Sequence, residues 1–540
     1  MATDGGAFAF AALALIALAI WCFSHRRVDR TLAALGLYLG LFDAYLKLRT
    51  GSTSVTLARD VLVVAIAAGA LLRTLSSHES LRIPPLGGFV LTFSAVVVIG
   101  LFNPDAGSLT SGLAGIRQHL EFVPLFFLGY AFIRDESQLQ KLLFILVLCA
   151  SAGGIASYIQ STLTPEQFAD WGPGYRDRIF GDGVTSPRLS YDDNSVASVR
   201  PFGLGSDIGA GAVAAALALP ALLTLLMVAR GWMRGLMIPL GIGIALAIAT
   251  SGTRAGLVTV FVSAVAFALI AATSRNVVRL IVGLSVGVVL VVGAFQYLGP
   301  DTTTARRAQS ITPDRVFSTF SQERGSSIRT FGEYASRYPL GIGVGSVGPA
   351  ATALKRGTLA TQSLNTETEW NFLVLEVGLL GLGVFLLINF RLLQLSLTRI
   401  RRVPVTSLRL HLAAIAAPLV GLLAAGFAGP TTASVPAAPY FWFVAGVLSY
   451  WLVTRYRSGF ATPDVSTGGG DDTGEALPAA PAPRRVPVTA MRPRVSAAAP
   501  PRGARPGPTA TSPSRPASRA SPRRPAPAGT TAAQRDPRSP

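Results

Sequence analysis

The chain has 540 residues, of which 50% are hydrophobic and only 14% charged, and it carries a formal net charge of +19. Soluble domains average about 25% charged residues, so a water-soluble globular protein is excluded. The positive charge does not point to nucleic acid. Residues 455–540 alone hold fourteen arginines against five acidic residues, and much of the remaining excess sits in short loops.

Apolar runs of roughly 17–25 residues are long enough to cross a bilayer core of about 30 Å as helices. In chain order they fall near 7–23, 31–48, 57–75, 84–102, 116–133 and 140–160, then near 204–229, 234–250, 255–272, 277–298, 369–391, 410–428 and 437–454. The run near 57–75 carries Arg59-Asp60 at its start. The run near 116–133 opens with Arg117 and Glu121, spaced four apart as in a helical ion pair. These two runs leave the count between twelve and thirteen. The sequence thus predicts an all-α, polytopic membrane protein with about 12–13 transmembrane helices, a large outer loop and a disordered C-terminal tail.

Short basic loops set the expected orientation, because arginine and lysine are retained on the cytoplasmic side. His25-Arg26-Arg27, Arg73 to Arg82, Arg134 to Lys141, Arg230 to Arg234, Arg275 to Arg279 and Arg391 to Arg409 fall on alternate turns and agree with a cytoplasmic tail. The turn at 47–60, with Lys47, Arg49 and Arg59, dissents. The first run has its arginines behind it, so it reads as an uncleaved anchor with the N-terminus outside. Residues 1–456 then form the membrane domain, with outer loops at 161–203 and 299–368. Residues 457–540, rich in Pro, Ala and Arg, form a tail too poor in apolar surface to fold. Such a tail is a solvated extension, or a segment that adheres to anionic lipid or docks a cytoplasmic partner.

Cys22 and Cys149 lie in apolar helices and offer no disulfide framework or metal cluster. His25, His78, His119 and His411 are scattered, and none lies in the larger loop. Arg254 sits in the short turn Ser251-Gly252-Thr253-Arg254 between two nearly uncharged helices. A boundary charge in that setting is a functional candidate. Arg329 opens a helix-like stretch that closes at Pro339, and Arg200 precedes Pro201-Phe202-Gly203. Three arginines from different loops suit a diphosphate, since a planar guanidinium grips phosphate oxygens bidentately. Arg315, Arg324 and Arg337 are rivals by spacing, and any one of these arginines alone is more often a solvated surface residue.

Glu367 and Glu369 stand where the loop re-enters the membrane, followed by Glu376. Either of the first two could accept a proton from a hydroxyl, or simply cap a helix N-terminus. Asp192-Asp193 reads as a turn. The pattern Gly341-x-Gly343-x-Gly345-x-x-Gly348 lacks the strand-turn-helix setting of a dinucleotide site and fits a tight turn at the membrane surface.

The order of a boundary Ser-x-x-Arg turn (Ser251 to Arg254), Arg329 upstream of Pro339-Leu-Gly-x-Gly-x-Gly345, and Glu376-x-Gly-Leu-x-Gly381 resembles the O-antigen ligase and O-antigen polymerase superfamily of bacterial envelopes. The likeness covers roughly 30–455. It implies a GT-C-like, metal-independent glycosyltransferase without cofactor. Such an enzyme moves a glycan from an undecaprenyl-diphosphate carrier to a sugar hydroxyl at the outer face of the inner membrane. Its partners are that lipid-linked glycan, membrane lipids and other polysaccharide-assembly proteins, with no nucleic acid. The resemblance further implies that Arg254 and Arg329 bind the diphosphate and stabilise it as leaving group. Family ligases place a histidine nine residues before the Glu of Glu-x-Gly, where this chain has Glu367. That departure moves the base to Glu367 or Glu369, or leaves the reaction to substrate positioning, and it leans toward a polymerase. A multi-span transporter and an inactive membrane scaffold are the alternatives. No matching broken helices in two halves support the first, and the arginine and glutamate placement is unexplained by the second.

Overall fold

The computed structural model describes residues 4–52, 54–77, 83–106, 108–181, 188–191, 197–251, 253–271, 283, 325–353, 364 and 366–457. All belong to one compact unit, Met1–Pro463. The apolar run near 277–298 (residue 283 apart), Arg315, Arg324, Asp192-Asp193 and the tail from 458 onward lie outside the described residues.

Among the described residues, nine helices are long and apolar enough to cross a membrane. The chain opens with α1 (Asp4–Ser24), α2 (Val28–Thr50), α3 (Ser54–Ser76) and α4 (Gly87–Phe102). The run near 116–133 is divided into α5 (Leu109–Leu120) and α6 (Pro124–Phe132), with Pro124 at the start of the second helix. Proline is favoured there because its missing N–H has no intrahelical partner to lose. Next come α7 (Glu136–Ser161), and in the following loop α8 (Pro165–Ala169), α9 (Pro173–Phe180) and the antiparallel pair β1 (Leu189–Tyr191) and β2 (Ala197–Val199). The second half holds α10 (Ala210–Val228), α11 (Trp232–Thr250), α12 (Arg254–Ala271), α13 (Gly325–Arg337), α14 (Gly348–Ala353), α15 (Glu369–Arg402), α16 (Thr406–Ala425) and α17 (Ala437–Arg455). The protein is a polytopic, almost wholly helical membrane protein.

Lipid tails are as apolar as leucine, so helices in a membrane gain from close contact of small residues. Helices α7 and α11 cross where Gly154 meets Gly243, and a Cβ on Gly154 would lie 1.8 Å from the Gly243 carbonyl oxygen. Gly129 and Gly446 play the same part between α6 and α17. The 161–203 loop is held by a satellite core of Leu48, Phe168, Tyr175 and Phe202. Tyr175 stacks on Phe202 with ring centroids 6.0 Å apart.

Candidate functional site

The glycine-rich segment is the centre of the architecture at one end of the bundle. Helix α15 is broken at Gly378, whose backbone sits at φ 69°, ψ −175°. A break in a membrane helix strands backbone groups that lipid cannot satisfy. Here the segment from Pro339 supplies the partners. Ile342 N–H donates to the Leu375 carbonyl at 2.6 Å, and Leu379 N–H donates to the Pro339 carbonyl at 2.8 Å. A Cβ on Gly378 would lie 2.6 Å from the Leu340 carbonyl carbon, so only glycine lets the two backbones meet. The same segment is pinned to α4 and α5. Asn103 Nδ2 donates to the Gly341 carbonyl at 3.0 Å, and Ser111 Oγ donates to the Gly345 carbonyl at 2.6 Å.

Beneath it lies a buried pair. Glu376 Oε2 is 2.9 Å from His119 Nε2, with side chains 0% and 1% exposed. Glu376 Oε1 accepts the Val347 N–H at 3.2 Å, and the His119 ring stacks on Phe372 with centroids 5.3 Å apart. A lone carboxylate in an apolar helix needs such partners, because an unpaired charge in hydrocarbon is costly. Glu376 therefore joins α5, α15 and the glycine-rich segment.

The candidate residues gather around this core. On α13, Ser327 and Tyr334 are buried, and Asn371 Nδ2 donates to the Ser327 carbonyl at 2.9 Å and to Thr330 Oγ1 at 3.2 Å. That clamp seats α13 on the re-entry point of α15 and leaves Arg329 exposed beside it. Thr368 caps α15, accepting the Asn371 N–H at 3.2 Å. Glu367, just outside the helix, is exposed.

Glu369 is different. It is 1% exposed. Its carboxylate accepts the Thr431 hydroxyl at 3.1 Å and the Thr432 N–H at 3.1 Å, together with the Thr431 N–H and the Thr432 hydroxyl. Its own N–H donates to the Gly426 carbonyl at 2.8 Å. The side chain thus ties the turn after α16 to the head of α15.

Arg254 is the first residue of α12 and is half-buried. Gly421 of α16 lies against Thr259 and Ser263 of α12, so the start of α12 shares an end of the bundle with the turn that holds Glu369. Thr253 lies beside Gly209, just ahead of α10. Arg200 enters the same turn region. Gln160 Oε1 accepts the N–H groups of Phe202 at 2.9 Å and Gly203 at 2.8 Å, fixing that turn to the end of α7. All five candidates therefore sit at one end of the bundle, with Arg329, Glu367 and Glu369 grouped at the head of α15. The rival Arg337 stacks over Tyr338, 5.5 Å from its ring centroid.

The i,i+4 pairing expected between Arg117 and Glu121 does not form. Each side chain bonds across to α3 instead: Arg117 Nη2 donates to Asp60 Oδ1 at 3.2 Å, and Glu121 Oε2 accepts from Arg59 Nη2 at 2.8 Å. Arg59 also reaches Asp43 at 3.2 Å and lies over Phe122, 5.2 Å from the ring centroid. Asp43 follows a π-helical turn at Tyr38–Phe42 that changes the phase of α2. Sequence reading singled out neither Asp43 nor His119. The available signal was Glu376 itself, a carboxylate within an apolar run that had to find a partner.

Residues 239–386 match the family model described as O-antigen ligase. That segment is similar to an O-antigen ligase domain. The matched segment includes Arg254, Arg329, the glycine-rich segment, Glu367, Glu369 and the break at Gly378, and it leaves out Arg200 and His119. No curated protein and no solved structure matches the chain. The match supports glycan transfer of the O-antigen ligase or polymerase type in a multi-pass membrane protein.

Proposed function

We propose that the protein is a polymerase-type transferase that moves a glycan from an undecaprenyl-diphosphate carrier to a sugar hydroxyl at the outer face of the inner membrane. Arg254 and Arg329 grip the diphosphate, with Arg200 as a third contact. The acceptor oxygen attacks the anomeric carbon, the bond from that carbon to the diphosphate oxygen breaks, and the electron pair leaves on the diphosphate. Preorganised guanidinium groups stabilise the charge developing there, and no metal is needed for that task. The acceptor proton passes to Glu367. Glu369 is the weaker candidate for base, because its oxygens are occupied by Thr431 and Thr432. The end of the bundle that carries α13 faces outward, and the C-terminal tail lies in the cytoplasm.

The observation that carries this reading is the placement of Arg329 and Glu367 at the head of α15, at the same end of the bundle as Arg254, within the matched segment. The test is the fate of lipid-linked repeat units in a strain lacking the protein, complemented by wild type, Arg254→Ala or Arg329→Ala. Single units accumulating without long polymer, in the deletion and in both variants, is the expected result. Long polymer retained on its carrier would make the protein a ligase. Unchanged glycans would overturn the reading in favour of transport, for which the broken helix α15 is the feature to pursue, or of scaffolding.

A further inference from the structure

The break at Gly378 separates the first part of α15, residues 369–377, from the rest of that helix. This half-helix has Glu369 at its head and Glu376 near its end, roughly 10 Å away at 1.5 Å rise per residue. The head is fixed by Thr431 and Thr432, which hold the Glu369 carboxylate, and by the Glu369 N–H on the Gly426 carbonyl. The other end is held by His119 of α5.

His119 makes two different contacts there. Its edge meets the Glu376 carboxylate, Nε2 to Oε2 at 2.9 Å, and its face stacks on the Phe372 ring with the planes 20° apart. Phe372 and Glu376 are spaced i,i+4, so they share one face of the helix. Gly348 lies against the same phenyl ring, where a Cβ would come within 2.6 Å of Cε2. Phe93 of α4 packs edge-on to the imidazole, with ring centroids 6.4 Å apart. A ring held by edge and face at once fixes both the height and the rotation of the helix it grips.

The hydrogen bond has a direction. His119 Nδ1 is buried and has no hydrogen-bond partner among the described residues. With the proton on Nε2, the ring donates to Glu376 and leaves only a lone pair unmatched at Nδ1. The reverse would strand a buried N–H donor, the rarer and costlier outcome. Glu376 then accepts from His119 at one oxygen and from the Val347 N–H at the other, at 3.2 Å.

The candidate site hangs from other sides of the same half-helix. Asn371 lies about 100° round the axis from Phe372, and it holds Ser327 and Thr330 of α13, the helix that carries Arg329. Glu367 stands just ahead of the helix. A rotation of about 15–20° moves a side-chain tip roughly 5 Å from the axis by about 1.5 Å. Misplacement of about 1 Å can cost 10²-fold in rate.

We propose that His119 is a positioning residue of the transfer reaction: by gripping Phe372 and Glu376 it sets the rotation of the half-helix, and with it the placement of Arg329 and Glu367. His119 lies outside the segment that matches the family model. The proposal rests on the function given above, and one of its readouts is independent of transfer. Full-length protein in nanodiscs is assayed for kcat and KM with lipid-linked repeat units extracted from the deletion strain. Hydrogen exchange of the 339–348 backbone and thermal unfolding are followed alongside. One variant is His119→Gln, whose amide N–H replaces Nε2–H. The other combines His119→Leu with Glu376→Leu, which removes both polar groups and so leaves no buried charge unpaired.

The double variant is expected to stay folded, to lose about 10²-fold in kcat with KM within about twofold, and to exchange the 339–348 amides faster. His119→Gln is expected to keep kcat within about fivefold of wild type, with exchange unchanged. Wild-type kcat in the double variant overturns the proposal. So does a loss of kcat that His119→Gln shares in full, or one that merely follows the folded fraction, since either makes the ring a packing element only. Wild type without transfer activity overturns the transferase reading, while faster exchange confined to the double variant still sustains the grip on the half-helix.

Discussion

The charged cluster around Arg59 and the charged group at the head of α15 use the same residue types in opposite ways. Arg59 is 12% exposed and tied to Glu121 and Asp43, with aromatic cover from Phe122. Arg329 is exposed on a helix whose other face is clamped by Asn371. In the first region the side chains pair with one another, and the cluster joins α2, α3 and the break between α5 and α6. In the second the backbone is fixed while the guanidinium faces outward. Burial converts a charge into a structural bond, whereas a rigid support under an exposed charge prepares it for a ligand.

The largest effect should come from breaking the first region. Arg59→Ala leaves Glu121 and Asp43 buried without their cation, and stability should fall by roughly 3–5 kcal/mol. Thermal unfolding in detergent measures this, and an unshifted transition would mean that water reaches the cluster. The double replacement Arg59→Leu with Glu121→Leu should recover much of the loss, since it removes both charges.

Arg329→Ala tests the other half of the comparison. Transfer activity should drop by about 10²-fold while the melting temperature stays where it was, in keeping with the loss of one preorganised donor to a leaving group. A parallel fall in melting temperature would move Arg329 into the structural class. Glu369→Ala should destabilise by roughly 1–3 kcal/mol, because the Thr431 and Thr432 N–H groups lose their acceptor. Loss of activity with unchanged stability would return Glu369 to the list of bases.

Two glycines in α15 provide the smallest and sharpest contrast. Gly378→Ala must place a side chain at positive φ against the Leu340 backbone, and should cost at least about 1–2 kcal/mol. Gly383→Ala, exposed in regular helix, should instead stabilise by roughly 0.5–1 kcal/mol. Equal responses in the two variants would show that the break in α15 closes in the membrane.

The sequence alone determined the all-helical membrane class, because a bilayer demands long apolar runs and each run carries its own signal. Most helix positions followed, from α1 to α17, as did the placement of Arg254 and Glu367 at helix starts and of Arg329 on a short helix, which begins at Gly325, four residues earlier than the sequence suggested. The resemblance read from the Ser-x-x-Arg turn and the glycine-rich segment agrees with the matched ligase domain. What the sequence could not assign was partnership. Arg117 and Glu121 have ideal spacing for one another, yet each finds a better partner on α3. Glu376 and His119 are remote in the chain and share no local pattern, and Glu367 and Glu369 look alike until Thr431 and Thr432 fold over one of them. The glycines of 341–348 announced a tight backbone, but only the break at Gly378 showed what that backbone approaches. Periodicity and hydropathy are local properties, legible in one strand of text. Which buried charge meets which, and which glycine faces another backbone, depends on helices brought together by packing, and only the tertiary structure decided those.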